Sequence, residues 1–178
     1  MYLQKLLIAV GSKFTAPETR IVVTGYYPIL SHDSNPFHMP PFLALFGVAA
    51  QSPFIIGNPV PKIVGHVLLF WHEASVQMEQ AVTDANAFFG GAPRIFFVAP
   101  QFTEQNAAFA SEPFVFGLNL DTLPQDDQIA HRQTACRVQE PDPIQREICF
   151  RASAGHPNPR GAERYFNDTF PILQTFGL

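Results

Sequence analysis

The sequence predicts an α/β fold built on a parallel sheet, and two observations carry that expectation. Residues 20–24 (RIVVT) and 94–99 (RIFFVA) are short runs of β-branched and aromatic residues. Their nearly continuous apolarity is that of strands buried on both faces rather than of half-exposed ones. Between them, residues 64–89 set Val67, Trp71, Ala74, Met78, Ala81, Ala85 and Phe88 at the three-to-four spacing of one buried helix face. Parallel neighbours need a long crossover, and a helix is its usual form.

The remaining elements follow in chain order. Leu3, Leu6, Leu7 and Val10 share one face of an N-terminal helix. The apolar run at residues 6–10 is shorter than the apolar core of about 7–15 residues in a secretory signal, so an amphipathic helix is the reading. Pro17 breaks the chain, and Gly25 and Pro28 close the first strand. Residues 30–62 are rich in Pro and Phe and read as a long excursion with one short helix near residues 42–50. Gly90 and Gly91 stop the long helix and Pro93 follows. Residues 101–150 read as loop-rich, with an extended piece at residues 114–117. Asn158 is suited to cap a final helix whose first residue is Pro159, where a missing N–H costs nothing. Ala162, Tyr165, Phe166 and Thr169 give that helix a packing face, and Pro171 is expected to end or kink it.

The 178 residues suit one domain, and 47% hydrophobic against 15% charged residues is a globular composition, not a disordered one. A net charge of −4 without clustered Lys and Arg argues against nucleic acid, whose phosphates must be neutralised. No apolar run approaches the roughly 18 residues that span a bilayer. There is no CxxC pair or HExxH, so neither a metal nor a cofactor is expected. Cys136 and Cys149 fall in one loop-like segment, where a disulfide is possible in an exported protein. His66 and His72 read as partly buried or capping residues of the long helix; His32, His38 and His131 read as loop residues. Asp126 and Asp127 read as a solvated loop.

The stretch SAGHPNPRGAERY at residues 153–165 carries the chemistry. His156 stands just before a well-capped helix, where ligand sites of open α/β sheets gather. The run Gly155-His156-Pro157-Asn158, followed by Gly161, Ala162 and Tyr165, resembles the last block of SGNH/GDSL-type serine hydrolases. Upstream, RIVVTGYYPIL, the helix with Trp71, Ala81-Val82 and Ala85-Asn86, and RIFFVAPQF resemble that family's later strands and crossover in the same order. The resemblance implies a flavodoxin-like three-layer α/β/α sandwich and ester hydrolysis by a serine nucleophile with His156 as its base. It further implies an ester or lipid-like small-molecule substrate.

Two departures shape the expectation. Ser153 stands where the family has an aspartate, so it would orient His156 only through its hydroxyl or its main-chain carbonyl; Asp142 is a carboxylate that could reach in instead. The Gly-Asp-Ser and Gly-x-Asn-Asp blocks are absent. The nearest imitation is His32-Asp33-Ser34-Asn35, with Ser34 as a candidate nucleophile, although Ser, Asp, Asn and Pro cluster equally well in a turn. Ser12 follows a glycine but has no aspartate before it. The sheet is therefore expected to be incomplete at its N-terminal side, as in the C-terminal half of a longer hydrolase. Exposed apolar surface would then favour a partner chain or self-association. The contrasting expectation is a catalytically inactive remnant that binds a ligand or serves a structural role.

Overall fold

The computed structural model describes residues 2–16, 18–38, 60–117 and 128–177. Among the described residues the protein is mixed α/β, mostly helical, with one small parallel sheet of two strands. In chain order the elements are α1 (Tyr2–Lys13), β1 (Ile21–Thr24), α2 (Val60–Phe89), β2 (Ile95–Val98), a 3-10 turn (Glu104–Asn106), α3 (Ile129–Gln139), α4 (Pro143–Phe150) and α5 (Pro159–Gln174). Two compact units divide the chain. The first comprises Met1–Tyr27, Leu69–Gln101 and Arg164–Leu178; the second comprises Pro28–Leu68 and Phe102–Glu163. The short helix expected near residues 42–50 and the acidic pair Asp126-Asp127 lie outside the described residues.

The first unit holds the sheet. Ile21, Val22, Val23 and Thr24 pair in register with Ile95, Phe96, Phe97 and Val98. Leu7, Ala81, Val82, Ala85 and Ile95 form the buried cluster, with Leu3, Ile8, Ile21, Val23, Phe89 and Phe97 packed on it. The apolar faces thus differ slightly from those expected. On α1 the buried stripe runs through Leu3, Leu7 and Gly11, and Leu6 is 58% exposed. On α2, Phe89 rather than Phe88 meets the cluster, and Phe88 is 65% exposed. A 3.6-residue period drifts over a helix this long, and the stripe shifts with it.

One side chain completes the edge of β2. Ile21 N–H donates to the Arg94 carbonyl, so the polar groups of Ile95 face the other way. Asn86 takes them: its amide Nδ2 donates to the Ile95 carbonyl at 2.7 Å, and its Oδ1 accepts from Arg94 N–H at 3.0 Å and Ile95 N–H at 3.1 Å. The asparagine stands where a neighbouring strand would. The turn between helix and strand is made by Gly90 and Gly91, both with left-handed backbones (φ 65° and 71°), which side chains disfavour. On the C-terminal helix, the Tyr165 hydroxyl donates to the Gly25 carbonyl at 2.8 Å, and the Tyr165 ring meets Tyr27 edge-on at 6.0 Å. Burial pushes the pKa of both phenols up, and the neighbouring Tyr27 and Tyr26 rings add to the effect at Tyr165. Pro171 does not end α5, which runs on to Gln174. Only one donor is lost so close to the end, and Asn167 and Pro171 are both exposed, so water can satisfy the carbonyl left over.

In the second unit, residues 129–150 are not loop but a helical hairpin. α3 and α4 pack against each other and are joined by a disulfide, Cys136–Cys149, with Cα atoms 5.9 Å apart. Cys136 is the buried residue of α3, and α4 buries none. The staple closes a short loop and is worth about 3 kcal/mol in chain entropy. Asp142 caps α4, accepting from the N–H groups of Ile144 at 2.8 Å and Gln145 at 2.9 Å, with Pro143 at the first helical position. Cap and staple hold α4, whose apolar residues Ile144 and Ile148 stay exposed.

Two outcomes are expected. Asn86→Ala should cost about 2–4 kcal/mol in urea unfolding, because it strands buried main-chain groups; Asn86→Asp, which keeps the acceptor, should cost less. The raised phenol pKa values mean that the folded state holds these protons more tightly than the unfolded chain does. Their contribution is complete below the ordinary tyrosine value of about 10 and is lost as pH rises through the folded values. Alkaline titration followed by phenolate absorbance should show a late component that Tyr165→Phe diminishes.

Candidate functional site

The segment around His156 is held by main-chain bonds to residues 114–116. Gly155 N–H donates to the Phe116 carbonyl and Phe116 N–H to the His156 carbonyl, both at 2.8 Å, and Asn158 N–H donates to the Phe114 carbonyl at 2.9 Å. Val115 and Pro157 form an antiparallel bridge between them, within the extended piece expected at residues 114–117. Gly155 turns the chain with φ 77°. Asn158 caps α5 as expected, its Oδ1 accepting from Gly161 N–H at 3.0 Å, while its Nδ2 donates to the Pro113 carbonyl at 2.8 Å. Gly161 lies so close to this segment that a Cβ would run into the Phe114 carbonyl oxygen. The helix start therefore sits flush on the extended piece, and His156 projects from a fixed backbone with its side chain exposed.

His156 borders a cleft of about 430 Å³, whose lining also includes Arg132, Ser153, Gln128, Phe116 and Asn158. Ser153 is 7% exposed. Its carbonyl accepts the main-chain N–H of His156 at 2.9 Å, and its hydroxyl accepts from Arg132 Nη1 at 3.2 Å. Ser153 thus ties His156 and Arg132 to one point. The hydroxyl and the carbonyl are the two groups through which Ser153 was expected to orient the imidazole, and here each serves another donor. Among the described residues no hydrogen bond reaches the His156 ring. Asp142, the alternative carboxylate, is occupied in capping α4.

Arg132 escaped the sequence reading because residues 101–150 read as loop. The signal was its spacing: it stands one turn before Cys136 on α3, so closing the disulfide fixes it in the hairpin. Ser34 is not among the residues lining the cleft. It is 2% exposed, its hydroxyl donates to the Ala108 carbonyl at 2.6 Å, and it accepts from Ser31 N–H at 3.0 Å. Ser31 in turn donates to the Glu104 carbonyl at 2.6 Å. A nucleophilic serine needs an open hydroxyl bonded to its base, whereas Ser34 is placed as the turn residue of its simpler reading. His66 and His72 are exposed on α2, His131 is on α3 rather than in a loop, and His38 stacks on Phe109 at 6.0 Å. Among the described residues no three His, Cys, Asp or Glu side chains are grouped so as to hold a metal ion, and no helix is long and apolar enough to cross a membrane.

The chain matches no protein-family model, no curated protein and no solved structure.

The close fit at Gly161 gives a direct test of this geometry. Gly161→Ala should lower stability by about 3 kcal/mol, the upper part of the overpacking range. It should also shift the amide resonances of residues 113–117 and 155–158 together, as read by urea unfolding and NMR.

Proposed function

We propose that this chain is the histidine-bearing part of an SGNH/GDSL-type ester hydrolase, with His156 as the general base and the parallel β1–β2 pair as part of a flavodoxin-like three-layer sheet. The observation that carries the reading is the exposed imidazole of His156, presented from a fixed backbone at the edge of a cleft, one turn before a capped helix. A base must reach the proton that it removes, and rigid placement at a concave site is the first requirement. The order of β1, α2 and β2 supports the same reading. The serine of such an enzyme stands on a Gly-Asp-Ser block that this sequence does not contain, so the reading assigns the nucleophile to another segment. His156 would take the proton from that serine and return it to the leaving alcohol.

A second reading is favoured by one specific feature. The imidazole has no carboxylate to stabilise its charged form among the described residues, while Arg132 and Ser153 are firmly placed beside it. On that reading the cleft binds an ester or lipid-like ligand without turning it over.

The two separate in a hydrolysis assay with a short-chain p-nitrophenyl ester. The hydrolase reading expects no turnover by the 178-residue chain above that of His156→Ala. It expects His156-dependent turnover once a Gly-Asp-Ser segment is supplied. Binding without turnover after that addition favours the second reading. Turnover by the chain alone that vanishes in His156→Ala would locate the nucleophile within it.

A further inference from the structure

We propose that Asn167 is an N-glycosylation site, its carboxamide nitrogen carrying an oligosaccharide. The inference goes beyond the hydrolase reading, since it involves neither the cleft at His156 nor turnover. Asn167-Asp168-Thr169 is the Asn-x-Thr acceptor pattern, with a residue other than proline in the middle. The pattern occurs once: no other asparagine of the chain has Ser or Thr two places on, and Asn35, Asn58 and Asn158 are followed directly by proline. The described asparagines divide in the same way. Asn35, Asn86, Asn106 and Asn158 commit their carboxamides to main-chain groups. Asn167 is exposed on α5, and among the described residues its carboxamide makes no hydrogen bond.

The helix aims this side chain outward. Successive helical residues stand about 100° apart, and the next one, Asp168, is tied to the protein: its Oδ2 accepts from Gln101 N–H at 2.7 Å and from Arg164 Nε at 3.1 Å. Asn167 turns away from that anchor. Beside it Phe166 and Phe170 stack with ring centroids 4.9 Å apart, and both stay exposed. The flat apolar face of a sugar ring packs on an aromatic ring, so a glycan here covers apolar surface and displaces no contact of Asn167. Pro171 has no N–H to offer the Asn167 carbonyl, so α5 is held less tightly at the acceptor residue. The Cys136–Cys149 disulfide adds an independent observation: such bonds persist in the oxidising compartments of export, where the transferring enzyme also works. The donor is an oligosaccharide on a lipid pyrophosphate. The bond from the sugar C1 to the pyrophosphate oxygen breaks, a bond from C1 to Asn167 Nδ2 forms, and Nδ2 gives up one proton as the lipid pyrophosphate leaves.

The test is expression of the chain behind a cleavable secretory signal in a eukaryotic cell, with intact mass and peptide mapping before and after treatment with peptide-N-glycosidase. The expected result is added mass confined to the peptide that contains Asn167, removed by the glycosidase with Asp left at that position. Asn167→Gln and Thr169→Ala should abolish the added mass, whereas Thr169→Ser should keep it, because the pattern requires the hydroxyl. An unmodified Asn167 in the disulfide-bonded protein, or added mass that persists in Asn167→Gln, would overturn the proposal. Protein held inside the cell is read in the same way from its membrane-enclosed fraction, so the result depends neither on release nor on the folding of a variant. No ester takes part, so failure here is separate from failure of the hydrolysis assay.

Discussion

A buried N–H or carbonyl must be hydrogen-bonded, and that constraint weighs most where regular sheet is scarce, as among the described residues here. This protein meets it repeatedly with asparagine. Asn86 completes the edge of β2 with three bonds to Arg94 and Ile95. Asn106, 6% exposed, accepts from Thr103 N–H at 2.9 Å and donates to the Glu112 carbonyl at 3.1 Å, closing the loop around the 3-10 turn. Asn158 does the same between Pro113 and the first turn of α5. A carboxamide carries one donor group and one acceptor, so a single side chain can serve both kinds of main-chain group at once. Each unit relies on this device, and in the second unit it positions the segment that carries His156.

The fold was legible where the burial pattern is regular. The two strands, the long helix and the cap and first residue of α5 lie within a few residues of their expected places, because apolar runs and the Asn158-Pro159 pair are local signals. The α3–α4 hairpin was not legible in that way. Burial is not what holds it: Ile144 and Ile148 share one face of α4 yet stay exposed, α3 buries Cys136, and the disulfide and the Asp142 cap hold the pair. An eight-residue helix is shorter than the window over which a helical period can be told from a loop. The cap could have been seen, since Asp142-Pro143 repeats the pattern of Asn158-Pro159.

The site was legible in one half. The run from Gly155 to Gly161 is contiguous, and each of its special residues has a local duty: a left-handed turn, an exposed base, a cap and a close approach. The other half comes from Arg132, 21 residues before Ser153, and reaches it only through the folded hairpin. Side-chain partners could not be assigned from spacing either. Ser153 was expected to serve the imidazole, and instead its hydroxyl holds Arg132 and its carbonyl holds the main chain of His156.

The contact at Gly161 has a consequence for how such a sequence can change over time. Residues 113–117 and 155–161 are more than thirty positions apart, yet one lies directly against the other with no room for a single added carbon. Neither segment can drift alone. A bulkier residue at 161 is viable only after the facing backbone has already moved away, and that movement would break the bonds that hold His156 and Asn158. Insertions and deletions are barred from both segments for the same reason. The two stretches behave as one inherited unit.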